Sequence, residues 1–374
     1  MKNFPKQKPT AIFCLRFPEG RHGNTVFQVI GTMFKDFKIL VTGGAGYIGS
    51  HTVVELQQQG FPVVIVDNLS NSRAFVIDRI AEITGIVPEF FQFDLADREK
   101  TAGFFASHPD LKAVIHFAAF KAVGESMDEP LKYYKNNLAA LMNVLQGMRD
   151  SRVENLVFSS SCTVYGQPDE LPVRETSPVK DAWSPYANTK QMSEQIIRFT
   201  SSAFGFQSIV LRYFNPVGAH ESALIGELPL GVPNNLTPFI TQTAAGLHEC
   251  LKVFGEDYPT PDGTAIRDYI HVTDLAKAHV ASVRRMLDGR TQSAFEVFNV
   301  GTGNGYSVKE VIQSFEKVSG EKLPINIVGR RPGDIIQVWA DTSLANRELR
   351  WKAEKTLDEM LLSAWKWQQS LSRI

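Results

Sequence analysis

Cysteine is scarce in this chain, and so are long apolar runs and any excess of charge. The 374 residues contain three cysteines, Cys14, Cys162 and Cys250, which are too few and too scattered for a disulfide framework or a CxxC metal site. No apolar run approaches the ~18 residues of a membrane helix. The net charge of −1 gives no general attraction for nucleic acid or an anionic membrane. We therefore expect a cytoplasmic protein of a reducing compartment, with neither nucleic acid nor a membrane as partner.

Histidine patterns typical of metal sites are also missing from the sequence. Four of the eight histidines, at positions 51, 116, 220 and 271, could suggest a metal site, but they lack ligand spacing and acidic companions. We therefore expect these histidines to be structural and the chain to bind no metal.

The first 37 residues differ from the rest of the chain. They mix Pro, Gly and Lys without clear periodicity, and their apolar runs are too short for the core of a signal peptide. We expect residues 1–37 to form an N-terminal extension that is disordered or loosely docked. Alternatively, the native chain begins at Met33, just before the first convincing strand.

Residues 38–67 have the pattern of a dinucleotide-binding β-turn-α-β unit. The segment KILVTGGAGYIGSHTVVELQQQGFPVVIVD predicts a strand, a helix and a second strand over 38–41, 47–59 and 63–66. Gly43, Gly46 and Gly49 lie at the turn, where a chain bends sharply and phosphates approach the helix N-terminus. Asp67 follows the second strand, where a carboxylate would accept both ribose hydroxyls of NAD and repel the 2′-phosphate of NADP. The nearby Arg73 leaves NADP open as an alternative.

Strands continue to alternate with helical patterns beyond this unit. Short buried strands are predicted around 90–94, 113–117 and 155–159, with helices from Arg98 and over 131–149 between them. This alternation predicts an α/β fold with a doubly wound parallel sheet of the Rossmann type, whose ligand crevice lies at the C-terminal ends of the strands. The residues at those ends, which we expect around one crevice, are Asp94, Phe117, Ala118, Lys121 and Ser161.

The stretch WSPYANTKQ places Tyr186 four residues before Lys190. Residues four apart share one face of a helix, and Ser184-Pro185 is a typical helix start. A cation beside a phenol favours the phenolate, so Lys190 can lower the pKa of Tyr186 from its usual value near ~10. Ser161 would orient a substrate hydroxyl whose proton Tyr186 removes or returns, while a hydride passes to or from a nicotinamide. Taken alone, such a pair is usually two surface residues that share a helix by chance.

From Lys38 to about Trp367 the chain resembles the extended short-chain dehydrogenase/reductases, and in detail their UDP-glucose 4-epimerase family. The matching segments are VTGGAGYIGSHT, VDNLSNS, VIHFAAFKAVGES, FSSSCTVYG, SPYANTK, LRYFNPVGAH, PNNLTPFI, DGTAIRDYIHV and RRPGD. The resemblance implies an isomerase that interconverts UDP-glucose and UDP-galactose through a transient 4-keto sugar. It also implies a tightly bound NAD, with Tyr186 taking the proton of the sugar 4-hydroxyl while C4 gives a hydride to the cofactor.

The resemblance further implies which residues surround the two ligands. Besides the turn glycines and Ala118, the residues implied around NAD are Tyr47, Ile48, Asp67, Asn68, Ser72, Asp94, Leu95, Phe117, Lys121, Asn136, Tyr186, Lys190 and Phe214. Those implied around the UDP-sugar are Ser161, Tyr186, Asn215, Asn235, Leu236, Val253, Phe254, Arg267, Arg331, Asp334 and Val338. The arginines would supply the charge, because a guanidinium fork matches phosphate oxygens.

The same resemblance suggests the organisation of the whole molecule. Residues 38–214 are expected to form the NAD-binding domain, and residues 215–374 a smaller substrate-binding domain with elements interleaved between the two. The family also suggests a homodimer.

Val338 bears on the range of substrates. Family members restricted to plain hexoses tend to carry a bulky Tyr at this position, whereas members that admit N-acetylhexosamines carry a smaller residue. Because the keto sugar must rotate within the site, Val338 predicts that UDP-N-acetylglucosamine and UDP-N-acetylgalactosamine are also accepted.

Three rival functions share parts of this pattern. Sugar-nucleotide 4,6-dehydratases have the Tyr/Lys pair, but they carry an Asp-Glu pair where this chain has Cys162-Thr163. A UDP-glucuronate 4-epimerase is the nearest alternative; it would need a cation for the sugar carboxylate, and no residue is assigned to that role. A catalytically inactive NAD-binding scaffold commonly lacks the Tyr or the Lys, whereas this chain has both.

Overall fold

The computed structural model describes residues 37–331 and 334–371. The expectation for an N-terminal extension therefore falls, apart from Phe37, outside the described residues. The strands are β1 (Lys38–Thr42), β2 (Val63–Asp67), β3 (Glu89–Gln92), β4 (Leu111–His116), β5 (Asn155–Ser161), β6 (Gln207–Tyr213), β7 (Asn215–Val217), β8 (Leu251–Phe254), β9 (Ile266–His271), β10 (Phe295–Val300), β11 (Gly305–Ser307), β12 (Ile325–Val328) and β13 (Gln337–Val338).

Helices connect most of these strands. They are α1 (Tyr47–Gln58), α2 (Phe75–Thr84), α3 (Arg98–Ser107), α4 (Val123–Asp128), α5 (Pro130–Asp150), α6 (Pro185–Phe204), α7 (Leu236–Ala244), α8 (Val272–Leu287), α9 (Val308–Ser319), α10 (Ser343–Glu348) and α11 (Leu357–Leu371). A 3-10 turn, Cys162–Tyr165, follows β5 directly.

A seven-stranded parallel sheet organises the first half of the chain. Its strand order is β10-β6-β5-β4-β1-β2-β3, and every neighbouring pair is parallel. The first strand, β1, lies in the interior of the sheet, and the later strands are added on both sides of it. This arrangement confirms the doubly wound α/β fold, and it puts the ligand crevice where the strand order reverses, between β1 and β4.

Burial on both faces explains why the central strands are continuous apolar runs. In β1, Ile39 and Val41 pack with helices α1, α2 and α8 in one core cluster, whereas Leu40 packs with α3, α5 and α6 in the other. All three side chains are fully buried. Each such side chain contributes about 1.5–3 kcal/mol by leaving water.

Helix α6 begins where the sequence signals predict it. Ser184 is the N-cap, and its hydroxyl accepts a hydrogen bond of 3.2 Å from the Ala187 backbone N–H. Pro185 occupies the first turn, where its missing N–H costs nothing. Gly205, with φ of 77°, ends the helix in the left-handed conformation that glycine tolerates best. These caps fix where Tyr186 lies relative to the end of β5.

The second half of the chain builds smaller sheets and also returns to the first one. Strand β9 pairs with β7, β11 and β13, and β8 pairs with β12. Helices α9 and α11 pack together over the apolar cluster that includes Phe315 and Trp365. Strand β10 nevertheless pairs with β6, and α8 packs on α1. The chain therefore crosses between the two regions more than once.

The structure corrects one expectation about the sheet. The strand predicted as buried around 90–94 is β3, the outermost strand, and most of its residues are exposed. It runs from Glu89 to Gln92, so Asp94 lies two residues beyond its end. An edge strand has a neighbour on one side alone, so its aromatic residues satisfy the apolar pattern without full burial.

No described helix is long and apolar enough to cross a membrane. Within residues 37–331 and 334–371, no group of three or more His, Cys, Asp and Glu side chains is placed to hold a metal ion. Cys162 and Cys250 are free thiols in the described part of the chain.

Candidate active site

The turn between β1 and α1 forms a cradle that only glycine can line. A Cβ atom on Gly49 would lie 2.2 Å from the carbonyl oxygen of Gly43. A Cβ on Gly43, whose φ is 69°, would lie 2.9 Å from the Ala118 backbone nitrogen at the end of β4. Gly46 caps α1 and no side chain bonds the first turn, so the N–H groups at the start of this helix remain available to a ligand. These features fit a diphosphate at the helix N-terminus.

Asp67 ends β2 beside this cradle and is 8% exposed. Its Oδ1 accepts hydrogen bonds from the Leu69 backbone at 2.8 Å and the Ser72 hydroxyl at 3.0 Å. Its Oδ2 accepts one from the Ala45 backbone at 3.1 Å. Burial raises the pKa of Asp67, while these three donors act in the opposite direction. A carboxylate has about four lone-pair sites, so the group can still accept from a ribose hydroxyl.

Two more of the predicted cofactor residues meet next to Asp67. The Asn68 amide donates to the Asp94 carboxylate at 3.3 Å, and that carboxylate also accepts from the Ala96 backbone at 2.8 Å. Leu95, which lies between Asp94 and Ala96 in the chain, is buried in the core. The three consecutive strand ends of β1, β2 and β3 therefore supply one continuous polar edge.

Tyr186, Lys190 and Ser161 come together where β5 ends and α6 begins, as the sequence predicts. The Lys190 ammonium lies 5.8 Å from the centre of the Tyr186 ring and donates a 2.6 Å hydrogen bond to the Ser159 carbonyl. Burial lowers the pKa of Lys190 to about 8, so the side chain remains mostly charged at neutral pH. All three side chains are less than 10% exposed.

The electrostatics of Tyr186 differ in one respect from the sequence interpretation. Burial is the dominant influence, and it raises the pKa of Tyr186 well above its usual value. The hydrogen bond with Ser161 acts in the opposite direction by favouring the phenolate. The pKa of Tyr186 can therefore fall below its usual value only with more positive charge than the surrounding protein groups provide, because desolvation opposes ionisation of the phenol.

Tyr213 belongs to this group, although sequence reasoning missed it. It ends β6 directly opposite Ser161 on β5, and its hydroxyl is hydrogen-bonded to the Ser159 hydroxyl. Burial raises the pKa of Tyr213 to about 12. The signal was available, because Tyr213 immediately precedes Phe214 at a strand end, in the matched segment LRYFNPVGAH.

The predicted phosphate-binding side of the site is rich in charged contacts. The Arg267 guanidinium on β9 pairs with the Asp334 carboxylate at 2.5 Å. Tyr258, which sequence reasoning also missed, donates to the same carboxylate at 3.3 Å. The Arg331 guanidinium lies 3.9 Å from the centre of the Phe254 ring. The predicted residues Arg267, Arg331, Asp334 and Phe254 thus come together around β8, β9 and the segment before β13.

A third missed residue, Glu227, links the two sides of the crevice. Its Oε1 accepts from the Asn235 amide at 2.7 Å and from the Lys121 ammonium at 3.1 Å. The Tyr47 hydroxyl also crosses the crevice and donates to the Gly218 carbonyl at 2.7 Å. Glu227 does not lie at the end of a strand, so the rule that ligand residues follow strand ends could not find it.

Several predicted residues have side chains directed away from the polar crevice. Val253 and Leu236 pack in the apolar cluster of the second half, and Ile48 packs against the core under α1. For these three apolar residues, the backbone rather than the side chain is the group available to a ligand. Asn136 differs, because it has a polar side chain whose amide donates to the Asn137 amide oxygen at 3.0 Å.

Val338 has a buried position on β13. It pairs with Arg267 of β9 and is 2% exposed. Its side chain packs in a cluster with Phe214, Val164 and partly buried Cys162. The residue predicted to set substrate range therefore lies between Arg267, a predicted phosphate ligand, and Cys162, which follows the predicted catalytic residue Ser161.

Comparisons with known proteins agree with this geometry. The model of the GDP-mannose 4,6 dehydratase family matches residues 40–363. The chain is 51% identical to a UDP-glucose 4-epimerase of Bacillus subtilis over 333 residues, which is 89% of this chain and 97% of the relative. It is 47% identical to a mouse UDP-glucose 4-epimerase over 339 residues, with 89% and 96% of the two chains covered.

Solved structures extend these comparisons. A UDP-glucose 4-epimerase from Stenotrophomonas maltophila, crystallised with NAD and formylated UDP-arabinopyranose, has a TM-score of 0.87 at 52% identity, covering 90% of this chain and 99% of that one. The UDP-Glc/GlcNAc 4-epimerase of Campylobacter jejuni has a TM-score of 0.77 at 36% identity, covering 89% and 99%. The chain therefore belongs to the UDP-glucose 4-epimerase family of the extended short-chain dehydrogenase/reductases.

Proposed function

We propose that this protein interconverts UDP-glucose and UDP-galactose through a 4-keto sugar and retains NAD as its cofactor. One observation carries the proposal: Tyr186, Ser161 and Lys190 converge at strand ends beside a glycine cradle suited to a dinucleotide. The family relationship supports the same reaction, and relatives from Stenotrophomonas maltophila and Bifidobacterium longum were solved with NAD.

Tyr186 acts as the acid-base group in this reaction. Its phenolate takes the proton of the 4-hydroxyl, and the phenol returns that proton after the keto sugar has turned over. NAD held by the glycine cradle and Asp67 would supply hydride chemistry at the sugar C4, and its oxidised nicotinamide would add positive charge beside the phenol. Ser161 holds the sugar hydroxyl and Tyr186 together, since it can donate to one oxygen while accepting from the other.

Lys190 supports the phenolate through its charge. With a pKa of about 8, it keeps most of its charge at neutral pH and favours ionisation of the neighbouring phenol. The bond to the Ser159 carbonyl holds the ammonium on the crevice side of α6. The remaining residues predicted around NAD, from Gly43 to Phe214, form the proposed shell of the cofactor within residues 38–214.

The substrate side of the site includes Asn215, Asn235, Arg267, Arg331 and Asp334. The guanidinium groups suit the diphosphate, and the Asp334 carboxylate suits a ribose hydroxyl. Opposite charges keep Arg267 and Asp334 paired, so a bound diphosphate would compete with Asp334 for the same guanidinium. These residues belong to the proposed substrate-binding domain over residues 215–374.

We also propose that UDP-N-acetylglucosamine and UDP-N-acetylgalactosamine are substrates. Val338 supports this breadth, because its side chain, which packs beside Phe214, is smaller than the tyrosine that hexose-restricted members of the family tend to carry. The relative from Campylobacter jejuni, a UDP-Glc/GlcNAc 4-epimerase, supports the proposal within the family.

A homodimer is the proposed assembly, and a cytoplasmic location is also proposed. Two neighbouring helices, α5 and α6, expose large apolar side chains: Leu131 is 80% exposed, Met142 50% and Phe199 73%. Pairing these helices with those of a second copy would cover this surface and produce a four-helix contact.

The test uses the purified protein without added NAD. UDP-galactose and UDP-N-acetylgalactosamine are supplied in parallel, and their 4-epimers are followed by chromatography. We expect both to be converted without accumulation of NADH. Conversion of UDP-galactose alone would remove the N-acetyl substrates from the proposal. If neither is converted after NAD is added, the epimerase proposal fails, and UDP-glucuronate becomes the next substrate to test.

A further inference from the structure

Two buried ion pairs of the same form lie in different parts of this molecule. Arg212 and Glu194 are joined by two bonds of 2.6 and 3.0 Å, with side chains 5% and 8% exposed. Arg285 and Glu296 are joined by two bonds of 2.7 and 2.9 Å, with side chains 3% and 9% exposed. Such pairs are costly to bury, so their presence alone does not indicate a gain in stability.

The first pair is attached to the catalytic helix. Glu194 lies on α6 one turn after Lys190, and its Oε1 also accepts a 2.5 Å bond from the Ser160 hydroxyl. Lys190 itself donates to the carbonyl of Ser159. Helix α6 is thus fastened to two successive residues of β5, directly before catalytic Ser161.

The other end of the pair leads to the substrate side. Arg212 donates to the Tyr165 hydroxyl at 3.0 Å, and Tyr165 donates to the Asn299 amide oxygen at 2.6 Å. Asn299 donates to the Val173 carbonyl at 2.9 Å. The Val173 backbone N–H then donates to the Trp339 carbonyl at 2.9 Å, one residue after Val338.

The second pair has no such connections. Arg285 and Glu296 contact Glu348 and the backbone of Gln292, at the far end of α8 and the start of β10. The strand ends that carry the active site lie at the opposite edge of the sheet. This pair is therefore a natural control for the first one.

We propose that Glu194 and Arg212 form a positioning pair, which fixes α6 and its Tyr186 and Lys190 in register with the strand that carries Val338. The proposal rests on the proposed epimerase function. The pair touches neither ligand site directly; it acts through Ser160 and Lys190 on one side and through Tyr165 and Asn299 on the other.

The carboxylate of Glu194 has a second consequence for Lys190. It is the nearby charge that raises the pKa of Lys190 against the effect of burial. The other titratable groups that face Lys190 are Tyr186 on the same helix, His116 on β4 and, through Ser159, Tyr213 on β6. His116 stays neutral because burial lowers its pKa to about 3, and burial likewise opposes ionisation of Tyr213. Of these groups, Tyr186 alone adds a negative charge, and it does so only as the phenolate of the proposed reaction.

The test compares Glu194→Gln with Glu296→Gln in the full chain with its retained cofactor. Loss of the Glu194 charge lowers the pKa of Lys190, so the ammonium that supports the phenolate is lost at a lower pH. We expect the basic limb of the pH profile of kcat to move down by about one pH unit, so that kcat near pH 9 falls about tenfold. Glu296→Gln should leave both within about twofold.

A second variant separates the substrate side from the acid-base side. Tyr165→Phe removes the hydroxyl between Arg212 and Asn299 but leaves both charges of the pair. We expect KM for UDP-galactose to rise about three- to tenfold, with the basic limb of the pH profile unchanged. A merely structural role would lower the yield of folded protein without this division between KM and pH profile.

The outcomes are distinct. Equal behaviour of Glu194→Gln and Glu296→Gln overturns the proposal, as does an unchanged KM in Tyr165→Phe. If Glu194→Gln does not fold, the double variant Glu194→Leu/Arg212→Met removes both charges and takes its place in the pH measurement. A wild-type enzyme without 4-epimerase activity would instead contradict the proposed function, which separates that failure from failure of the positioning pair.

Discussion

The cofactor side and the substrate side of this site are built from different kinds of contact. On the cofactor side, backbone groups at adjacent strand ends form a cradle around Gly43 and Gly49, and Asp67 is held by three donors. On the substrate side, charged side chains such as Arg267 and Asp334 pair with one another. We therefore expect the first arrangement to select its ligand by shape and the second by charge.

This difference has a physical cause in the order of the chain. Parallel strands must end at one edge of their sheet, so consecutive β-α units bring Gly43, Asp67 and Ser161 together by topology alone. The substrate side instead combines β9, the segment before β13 and the loop that holds Glu227. Its residues are far apart in sequence, and side-chain contacts have to bring them into place.

The proposed acid-base group, Tyr186, would act between the two sides, and removal of its hydroxyl should have the largest effect. Tyr186→Phe removes the hydroxyl that exchanges the proton, so we expect turnover to fall at least ~10²-fold while NAD stays bound. Turnover is measured by chromatography of the epimers, and the cofactor by absorbance of the purified protein. Tyr134→Phe is the control. It also deletes a phenol hydroxyl, one that donates to Asn188, which lies on α6 together with Tyr186. Near-normal turnover in Tyr186→Phe would remove this residue from the acid-base role.

The cradle can be broken by a single methyl group. Gly49→Ala would place a Cβ atom 2.2 Å from the Gly43 carbonyl oxygen, and the backbone there has little room to move. Overpacking of this kind costs about 1–3 kcal/mol, so NAD retention should weaken by roughly ten- to a hundredfold. Gly103→Ala on α3 is the matched control, because its Cβ meets nothing within 4 Å. A Gly49→Ala protein that purifies with its full complement of NAD would contradict the shape argument.

The same contrast explains how much the sequence could predict. The strand-turn-helix pattern over residues 38–67 and the Ser184-Pro185 start of α6 are local signals, so the Rossmann core, Asp67 and the Tyr186/Lys190 pair follow from them. Tyr258 and Glu227 carry no local signal, because they gain their meaning through Asp334 and Lys121, which are distant in the sequence. The raised pKa of Tyr186 was missed for a related reason: burial depends on the whole fold, whereas helical spacing shows only the neighbour at position four.

Buried histidines tie the stability of the first sheet to pH. Burial lowers the pKa of His116 to about 3 and that of His279 to about 4, so both stay neutral in the folded protein at pH 5. In the unfolded chain a histidine takes up a proton below about pH 6.5. The unfolded state therefore binds more protons between pH 6.5 and about 4, and the free energy of unfolding should fall as pH falls through this window.

His279→Phe tests this linkage, because it keeps a ring beside Phe117 and removes one titrating group. The slope of the free energy of unfolding should decrease by up to about 1.4 kcal/mol per pH unit below pH 6.5. Denaturant unfolding at several pH values measures it, and the slopes above pH 7 serve as the internal control. Identical slopes at pH 5 for both proteins would contradict the buried neutral state of His279.

The charge argument for the substrate side can be sharpened with Arg267→Lys. This change keeps the positive charge but loses the fork that bonds Asp334 and the carbonyl of Ile266. Losing one good hydrogen bond to the diphosphate costs about 0.5–1.5 kcal/mol, so KM should rise roughly three- to tenfold with NAD retention unchanged. Arg290→Lys, next to Asp288 at the end of α8, is the control. If KM stays the same, charge alone suffices at this position. If NAD retention falls as well, the cofactor side and the substrate side do not bind their ligands independently, which contradicts the contrast between shape and charge.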